Sequence, residues 1–427
     1  MHATRTARKA LGVSAVVMAS TLALGAAASG VAAPSAKPQP AAAGTPGTIV
    51  FECFQVDRGP DPNAVVLAQT QNFGNDTVIV RRAVRVCEPA LKLRDNPDPA
   101  AGTIQILPNA TLTLGSDAGA PTVSMDGAIA MLRESPTAPA GGKVLASSMQ
   151  GGGMVADSFF DVFLELAAVG NWQLDSFFDI TYRMSATGGA TGPQSSDVSL
   201  HLVSQGGGVY SGPLQTPVVV GGATFTNATL TLNDPTATNG KAATRVMECF
   251  RTEKGADPND PYLLTTNNFG RDPVLVRQAS TLCEGALKTK EPIQPGTTST
   301  VSAPFVAWEC FRIASGQNPN TTFRFVTNNF GLQSARVQRA VELCEDARKV
   351  RTDAAGNVTA VGRPTGHVYE CFRLEARNQK APFWLTNRNF GGAPVVIRSA
   401  VLMCETAKKE PLNTFPPPND RGDHPGD

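Results

Sequence analysis

The chain is 427 residues long, which favours several domains over one. Lys and Arg number 37 against 36 Asp and Glu, and this formal charge of +1 gives no support to a whole-chain nucleic-acid footprint. A hydrophobic content of 41% excludes wholesale disorder, while eight cysteines beside only four histidines direct attention to disulfides.

Residues 1–36 predict a secretory signal peptide. Arg5, Arg8 and Lys9 form a positive n-region, and Leu11 to Val31 is an uncharged run rich in Ala, Val, Leu and Gly. Small residues crowd its exit, so cleavage is expected between Ala28 and Ala36. The run is long enough to serve as a membrane anchor instead, but its Ala, Gly and Ser content favours cleavage. No membrane span is expected after cleavage, and the mature chain is expected to be secreted, where disulfides persist. Residues 37–48 read as a linker.

Residues 49–94 form the first of four copies of one module. It carries Glu52-Cys53-Phe54, then Asn72-Phe73-Gly74, then Cys87-Glu88-Pro89-Ala90-Leu91-Lys92. An apolar run ends at the first Cys, and a second, Val78-Ile79-Val80, follows the Asn-Phe-Gly; both read as strands. The Asn-Phe-Gly reads as a turn in which Gly takes positive φ. The closing Cys-Glu-x-Ala-x-Lys suggests a short helical turn, with Glu and Lys paired at i and i+4.

Residues 103–240 interrupt the repeat. The first cysteines of copies two, three and four (249, 310, 371) are 61 apart, whereas those of copies one and two are 196 apart, so roughly 135 residues are inserted. Short β-type runs between Gly, Pro and Asn breaks predict a β-sandwich-like domain or an open barrel. Asn109 to Leu114 recurs letter for letter at Asn227 to Leu232, so the first and last strands are expected side by side, as an insertion requires. Ten acids against three bases make the block acidic. If the runs containing Asp157 and Asp161 and those containing Asp175 and Asp179 form a hairpin, like charges face each other. These four carboxylates are then a weak Ca²⁺ candidate; a solvated acidic edge is the plainer account, because no Asp-x-Asp-x-Asp-Gly loop accompanies them. No other cofactor is expected.

The remaining copies follow at 244–290, 305–351 and 366–410. They carry Cys249 and Cys283, Cys310 and Cys344, and Cys371 and Cys404, around Asn268-Phe269-Gly270, Asn329-Phe330-Gly331 and Asn389-Phe390-Gly391. The Gly-to-Cys spacing is 13 in all four copies. An Arg follows the Phe in three of them (Arg251, Arg312, Arg373; Gln55 in copy one), and Arg81, Arg277, Arg339 and Arg398 recur further on. These suggest either a basic stripe for a polyanionic partner or ordinary solvated strand faces. Residues 411–427 are rich in Pro, Asp and Gly and read as a disordered tail.

Repeat symmetry leaves two sensible disulfide schemes. Pairing within copies gives Cys53–Cys87, Cys249–Cys283, Cys310–Cys344 and Cys371–Cys404. Pairing across copies makes Cys87 reach Cys249 over the insertion and strands Cys53 and Cys404, so pairing within copies is preferred. Each staple should contribute about 3–4 kcal/mol, as much as a unit this small can expect in total. The fold class expected is therefore all-β: four small disulfide-stapled β modules with an inserted β-sandwich-like domain.

The module motifs resemble an uncharacterised two-cysteine tandem repeat domain of secreted bacterial proteins. The resemblance rests on Glu-Cys-Phe, Asn-Phe-Gly and Cys-Glu-x-Ala-x-Lys, spans roughly half of the mature chain, and implies secretion and stapling but no catalytic residue.

Catalysis finds little purchase. His201 lies in an alternating run where a strand residue is expected, His367 has no counterpart in the other copies, and no Gly-x-Ser-x-Gly elbow or P-loop is present. The expectation is a secreted non-enzymatic repeat protein, a structural or binding scaffold whose partner is a component of the envelope or matrix rather than nucleic acid. A secreted hydrolase acting through the inserted domain and a secreted protease inhibitor are the alternatives.

Overall fold

The computed structural model describes residues 48–94, 103–115, 122–133, 142–151, 154–158, 164–169, 173–186, 194–206, 209–220, 222–232, 244–266, 268–292, 307–362, 364 and 366–412. The expected signal segment and nearly all of the expected linker and tail lie outside them. All regular structure in the described residues is β, as expected.

In chain order the strands are β1 (Thr48–Asp57), β2 (Ala64–Thr70), β3 (Gly74–Leu93), β4 (Thr103–Gly115), β5 (Val123–Arg133), β6 (Gly142–Gly151), β7 (Met154–Ser158), β8 (Leu164–Val169), β9 (Gln173–Ala186), β10 (Gln194–Gly206), β11 (Val209–Val220) and β12 (Ala223–Leu232). They continue as β13 (Thr244–Glu253), β14 (Asp260–Thr266), β15 (Gly270–Thr289), β16 (Ala307–Ala314), β17 (Thr321–Thr327), β18 (Gly331–Thr352), β19 (Val358–Val361), β20 (Val368–Ala376), β21 (Ala381–Asn387) and β22 (Gly391–Pro411). Each copy is thus a Cys strand, a short arm strand and a long strand that starts at the Gly of Asn-Phe-Gly. Those glycines take φ of 64–78°, the left-handed region expected of them.

The long strand serves two ladders. Its first half pairs with its own arm, Thr70 opposite Gly74, and its second half pairs with its own Cys strand, Cys53 opposite Cys87. The segment Cys-Glu-x-Ala-x-Lys is therefore strand in every copy, not the helical turn expected. The cysteines of each copy stand directly opposite one another, and all four within-copy disulfides form.

The copies do not stand as separate beads. Each Cys strand also pairs with the long strand of the preceding copy: β13 with β3, β16 with β15, β20 with β18, and β1 with β22. The last pairing joins copy four to copy one, so eight strands close into an inner barrel with pseudo-fourfold order. The arms then reach across it. The arm β2 pairs with the end of β18, β17 with the end of β3, β14 with the end of β22, and β21 with the end of β15. Copies one and three exchange arms, as do copies two and four.

The inserted strands β4–β12 form a separate nine-stranded sheet, whose ladder closes on itself where β9 pairs with β10. The two Asn-Ala-Thr-Leu-Thr-Leu segments lie antiparallel against each other in β4 and β12, so the first and last strands are adjacent as anticipated. Leu112, Met125, Met149, Met184, Leu200 and Phe225 are among its buried core residues. A second apolar cluster joins this sheet to the modules through Ile106, Ala128 and Ala130 on one side and Ile49, Leu91, Leu93 and Val326 on the other. Asn328 ties the two together by accepting from the Ile106 amide (2.8 Å) and donating to its carbonyl (2.5 Å).

Candidate functional site

Period two divides the residues of the inner barrel between two faces. One face carries the cysteines. Their sulfurs cluster, with Sγ–Sγ distances between neighbouring cystines of 4.0 Å (Cys53 and Cys404), 3.9 Å (Cys87 and Cys249) and 3.6 Å (Cys344 and Cys371). Two residues before the first Cys stand Phe51, Met247, Trp308 and Tyr369, a layer in which Trp308 packs on Tyr369 at 4.6 Å and edge-on to Phe51 at 4.7 Å.

The other face carries the Glu, Phe and Lys of the repeat signature, buried beneath the exchanged arms. Lys92 pairs with Glu405 (2.5 Å), Lys288 with Glu88 (2.5 Å), Lys349 with Glu284 (3.1 Å) and Lys409 with Glu345 (3.3 Å). Each Lys reaches the preceding copy, closing the ring of four. Each of those glutamates also accepts from the Asn of the opposite copy: Asn72 on Glu345 (2.8 Å), Asn268 on Glu405 (2.9 Å), Asn329 on Glu88 (3.0 Å) and Asn389 on Glu284 (2.5 Å). The Lys ammonium lies over the Asn-Phe-Gly ring of the following copy, at 3.9 Å for Lys349 over Phe390 and 4.0 Å for Lys409 over Phe73. The two halves of the signature thus meet between copies.

The first glutamate of each module faces the second across the strand pair, as Glu52 faces Glu88. Two buried carboxylates in that position would repel, and burial favours the neutral form of the first one. Desolvation is the largest cause in all four. It pushes Glu52 to about 8 against the hydrogen bond from Gln333, Glu248 to about 7 against that from Asn387, and Glu309 to about 9 with the carboxyl of Asp76 adding to the rise. Glu370 is likewise raised, chiefly by desolvation and next by the neighbouring Asp272 carboxyl. Asp76 with Glu309 and Asp272 with Glu370 thus bring two carboxyls together across opposite copies, and each Asp accepts a backbone N–H, from Ala256 (2.6 Å) and Gln317 (2.8 Å). Sequence reasoning missed both pairs, because the acids are distant in sequence and lie in copies with no local sign of contact.

The feature that faces solvent lies one step beyond the cystines. There a cavity of about 470 Å³ is lined by Arg85, Arg312, Arg373 and Glu342, with a floor that includes Val341, Val401 and Leu402 packed on the cystine cluster. Arg312 and Arg373 are two of the recurring arginines of the sequence, and both are exposed, as are Arg251 and Gln55 at the equivalent positions. Arg85 is fixed by Glu342 (2.8 Å) and by the Thr281 hydroxyl (2.8 Å), the first contact crossing from copy one to copy three. Among the described residues no carboxylate forms an ion pair with Arg312 or Arg373. Three guanidiniums against one carboxylate leave the cavity cationic.

Other arginines of the expected stripe are engaged: Arg81 with Glu253 (2.9 Å), Arg277 with Asp257 (3.5 Å) and Arg398 with Asp57 (2.5 Å). These partly exposed pairs match the solvated-face account. Arg339 is exposed.

Among the described residues the acidic strands of the insertion set no two of the four candidate carboxylates opposite each other. Asp157 stands opposite Arg183, Asp175 opposite Ala167 and Asp179 opposite His201, while Asp161 lies outside the described residues. The described registers set none of Asp157, Asp175 and Asp179 opposite another of them. His201 is a half-buried strand residue, as expected. His367 is buried with its Nδ1 3.3 Å from Asp346 of copy three, an inter-copy contact that the sequence did not signal. The described acid, Cys and His groups close enough to share a metal are built around cystine sulfurs, which are already bonded. No helix among the described residues is long and apolar enough to cross a membrane.

No family model and no curated protein matches this chain. Among solved structures, a likeness is found to the outer membrane protease OmpT from Escherichia coli, at 8% identity over 86% of this chain and 98% of that one. Its TM-score of 0.08 is too low to carry any argument about fold or activity.

Proposed function

We propose that the chain is an exported, non-enzymatic binding scaffold that works at or outside the cell envelope. The observation that carries this reading is what the repeat signature does. Its Cys, Glu, Lys, Asn and Phe residues are spent on joining four copies into one closed body, so their recurrence is explained by architecture. Among the surface-facing positions, the arginine after Glu-Cys-Phe recurs in three of the four copies. Four buried disulfides suit an oxidising compartment, and a body locked by cystines and interlocked arms suits a protein exposed to proteases.

The test is sedimentation of the oxidised mature chain with isolated envelope and with extracellular polymer, at low and high salt, beside turnover assays on ester, glycan and peptide substrates. Retention that falls with salt, without turnover, is expected. Turnover abolished by His201→Ala would transfer the reading to a hydrolase in the insertion, and N-terminal sequencing of the exported protein should place cleavage between Ala28 and Ala36.

A further inference from the structure

We infer that the arginine-lined cavity is an oxyanion-binding site, which takes the carboxylate or phosphate head of a ligand that carries a small apolar body. This deepens the scaffold reading and rests on it. Arg312 and Arg373 belong to β16 and β20, the two strands that flank β18, so their guanidiniums approach one cavity from both sides of Glu342. Glu342 is already occupied by Arg85 (2.8 Å) and by the Ser280 hydroxyl (3.2 Å), so it does not neutralise the other two cations. Arg85 is held from two sides and presents a fixed third positive charge. Guanidinium forks match the geometry of carboxylate and phosphate, and an apolar-floored recess strengthens such pairs by excluding water.

The size and lining decide what accompanies the anion. A volume of about 470 Å³ falls in the range of small-ligand cavities. Val341, Val401 and Leu402 give it an apolar floor, and Ile313 and Leu374 border it at the strand positions next to Arg312 and Arg373. A bare inorganic anion would leave that floor uncovered; an aryl or short acyl carboxylate or phosphate ester would cover it. Because Arg312 and Arg373 are exposed at the rim and the floor rests on the cystine cluster, the site is preformed, and binding needs no change in the barrel.

The experiment is isothermal titration calorimetry on the oxidised mature full-length chain with four probes: inorganic phosphate, phenyl phosphate, benzoate and benzyl alcohol. Phenyl phosphate and benzoate should bind, inorganic phosphate more weakly, and benzyl alcohol not measurably. Arg312→Gln with Arg373→Gln should weaken the aryl anions by about 10- to 100-fold, the scale of charge-assisted hydrogen bonds lost. The double Arg→Lys variant should recover only part, because lysine keeps charge but not the fork. Arg339→Gln, an exposed arginine outside the cavity, should change nothing. Equal binding of benzyl alcohol, undiminished binding by the double Gln variant, or no binding by any probe would each overturn the site. If the double Gln variant loses aryl anions yet still sediments with envelope, the site stands and the scaffold engages its partner elsewhere. If aryl anions bind the cavity as expected but the chain does not sediment with envelope or extracellular polymer even at low salt, the site stands and the envelope-scaffold reading fails.

Discussion

Glu309 and Asp76 come together from opposite copies, and burial, with the Asp76 carboxyl adding to it, holds Glu309 well above the ordinary glutamate range. The folded chain holds Glu309 at about 9 and Glu52 at about 8, against 4.5 for an ordinary glutamate. Between those limits the folded state retains protons that the unfolded chain has released. The contribution of these two carboxyls to stability is therefore fullest below about pH 4.5 and is lost as pH rises through the folded values. Each such carboxyl costs at most about 1.4 kcal/mol per pH unit in that window. Lys409, lowered to about 8 chiefly by desolvation, acts oppositely, but only above its own folded value. Urea unfolding with disulfides intact should give a lower midpoint at pH 8.5 than at pH 5, and Glu309→Gln should flatten that slope. An unchanged slope would mean that Glu309 is ionised in the fold. A charged ring position behaves differently. Lys288→Ala leaves Glu88 buried without its cation and should cost about 3–5 kcal/mol in denaturant unfolding, while the pair Lys288→Met with Glu88→Leu should recover most of that.

Two glycine positions show how a strand element is held. Gly270 starts its long strand at φ 77° with open space around a notional Cβ, and the preceding turn is closed by the Phe269 amide donating to the Thr266 hydroxyl (3.2 Å). Gly270→Ala should therefore cost only the left-handed penalty of about 1–2 kcal/mol. Gly316 packs on the backbone of Ala340, whose carbonyl oxygen would lie 2.4 Å from an added Cβ, so Gly316→Ala should lower the thermal midpoint more than Gly270→Ala. Equal losses would show that the Ala340 contact relaxes freely. The turn and both flanking strands were legible from Asn-Phe-Gly and the apolar runs around it. The Cys-Glu-x-Ala-x-Lys segment was misread for a definite reason. A spacing of four puts Glu88 and Lys92 on one face of a helix, but four is also even, so a strand places them on one face as well. On a strand the two are about 13 Å apart along the chain and cannot meet each other. They pair with neighbouring copies instead.

Closure governs the molecule as a whole. Removing copy four (residues 366–412) would take Glu405 from Lys92, Lys409 from Glu345 and Asn389 from Glu284, and would leave β1 without its second neighbour. Such a truncation should fail to give a compact three-copy protein on size-exclusion chromatography, and a soluble, cooperatively unfolding product would refute the closed ring. Copy number and the all-β class were determined by the sequence alone, and within-copy cystine pairing and the side-by-side ends of the insertion were legible in it, because each follows from repeat spacing, a repeated segment or period two. Which Asn meets which Glu, where each Lys pairs, and that three arginines converge on one cavity were decided only in the tertiary structure. The four copies carry nearly the same signature, so any Asn could by chemistry alone serve any Glu. Barrel closure and arm exchange bring together one set of partners among those equivalent choices.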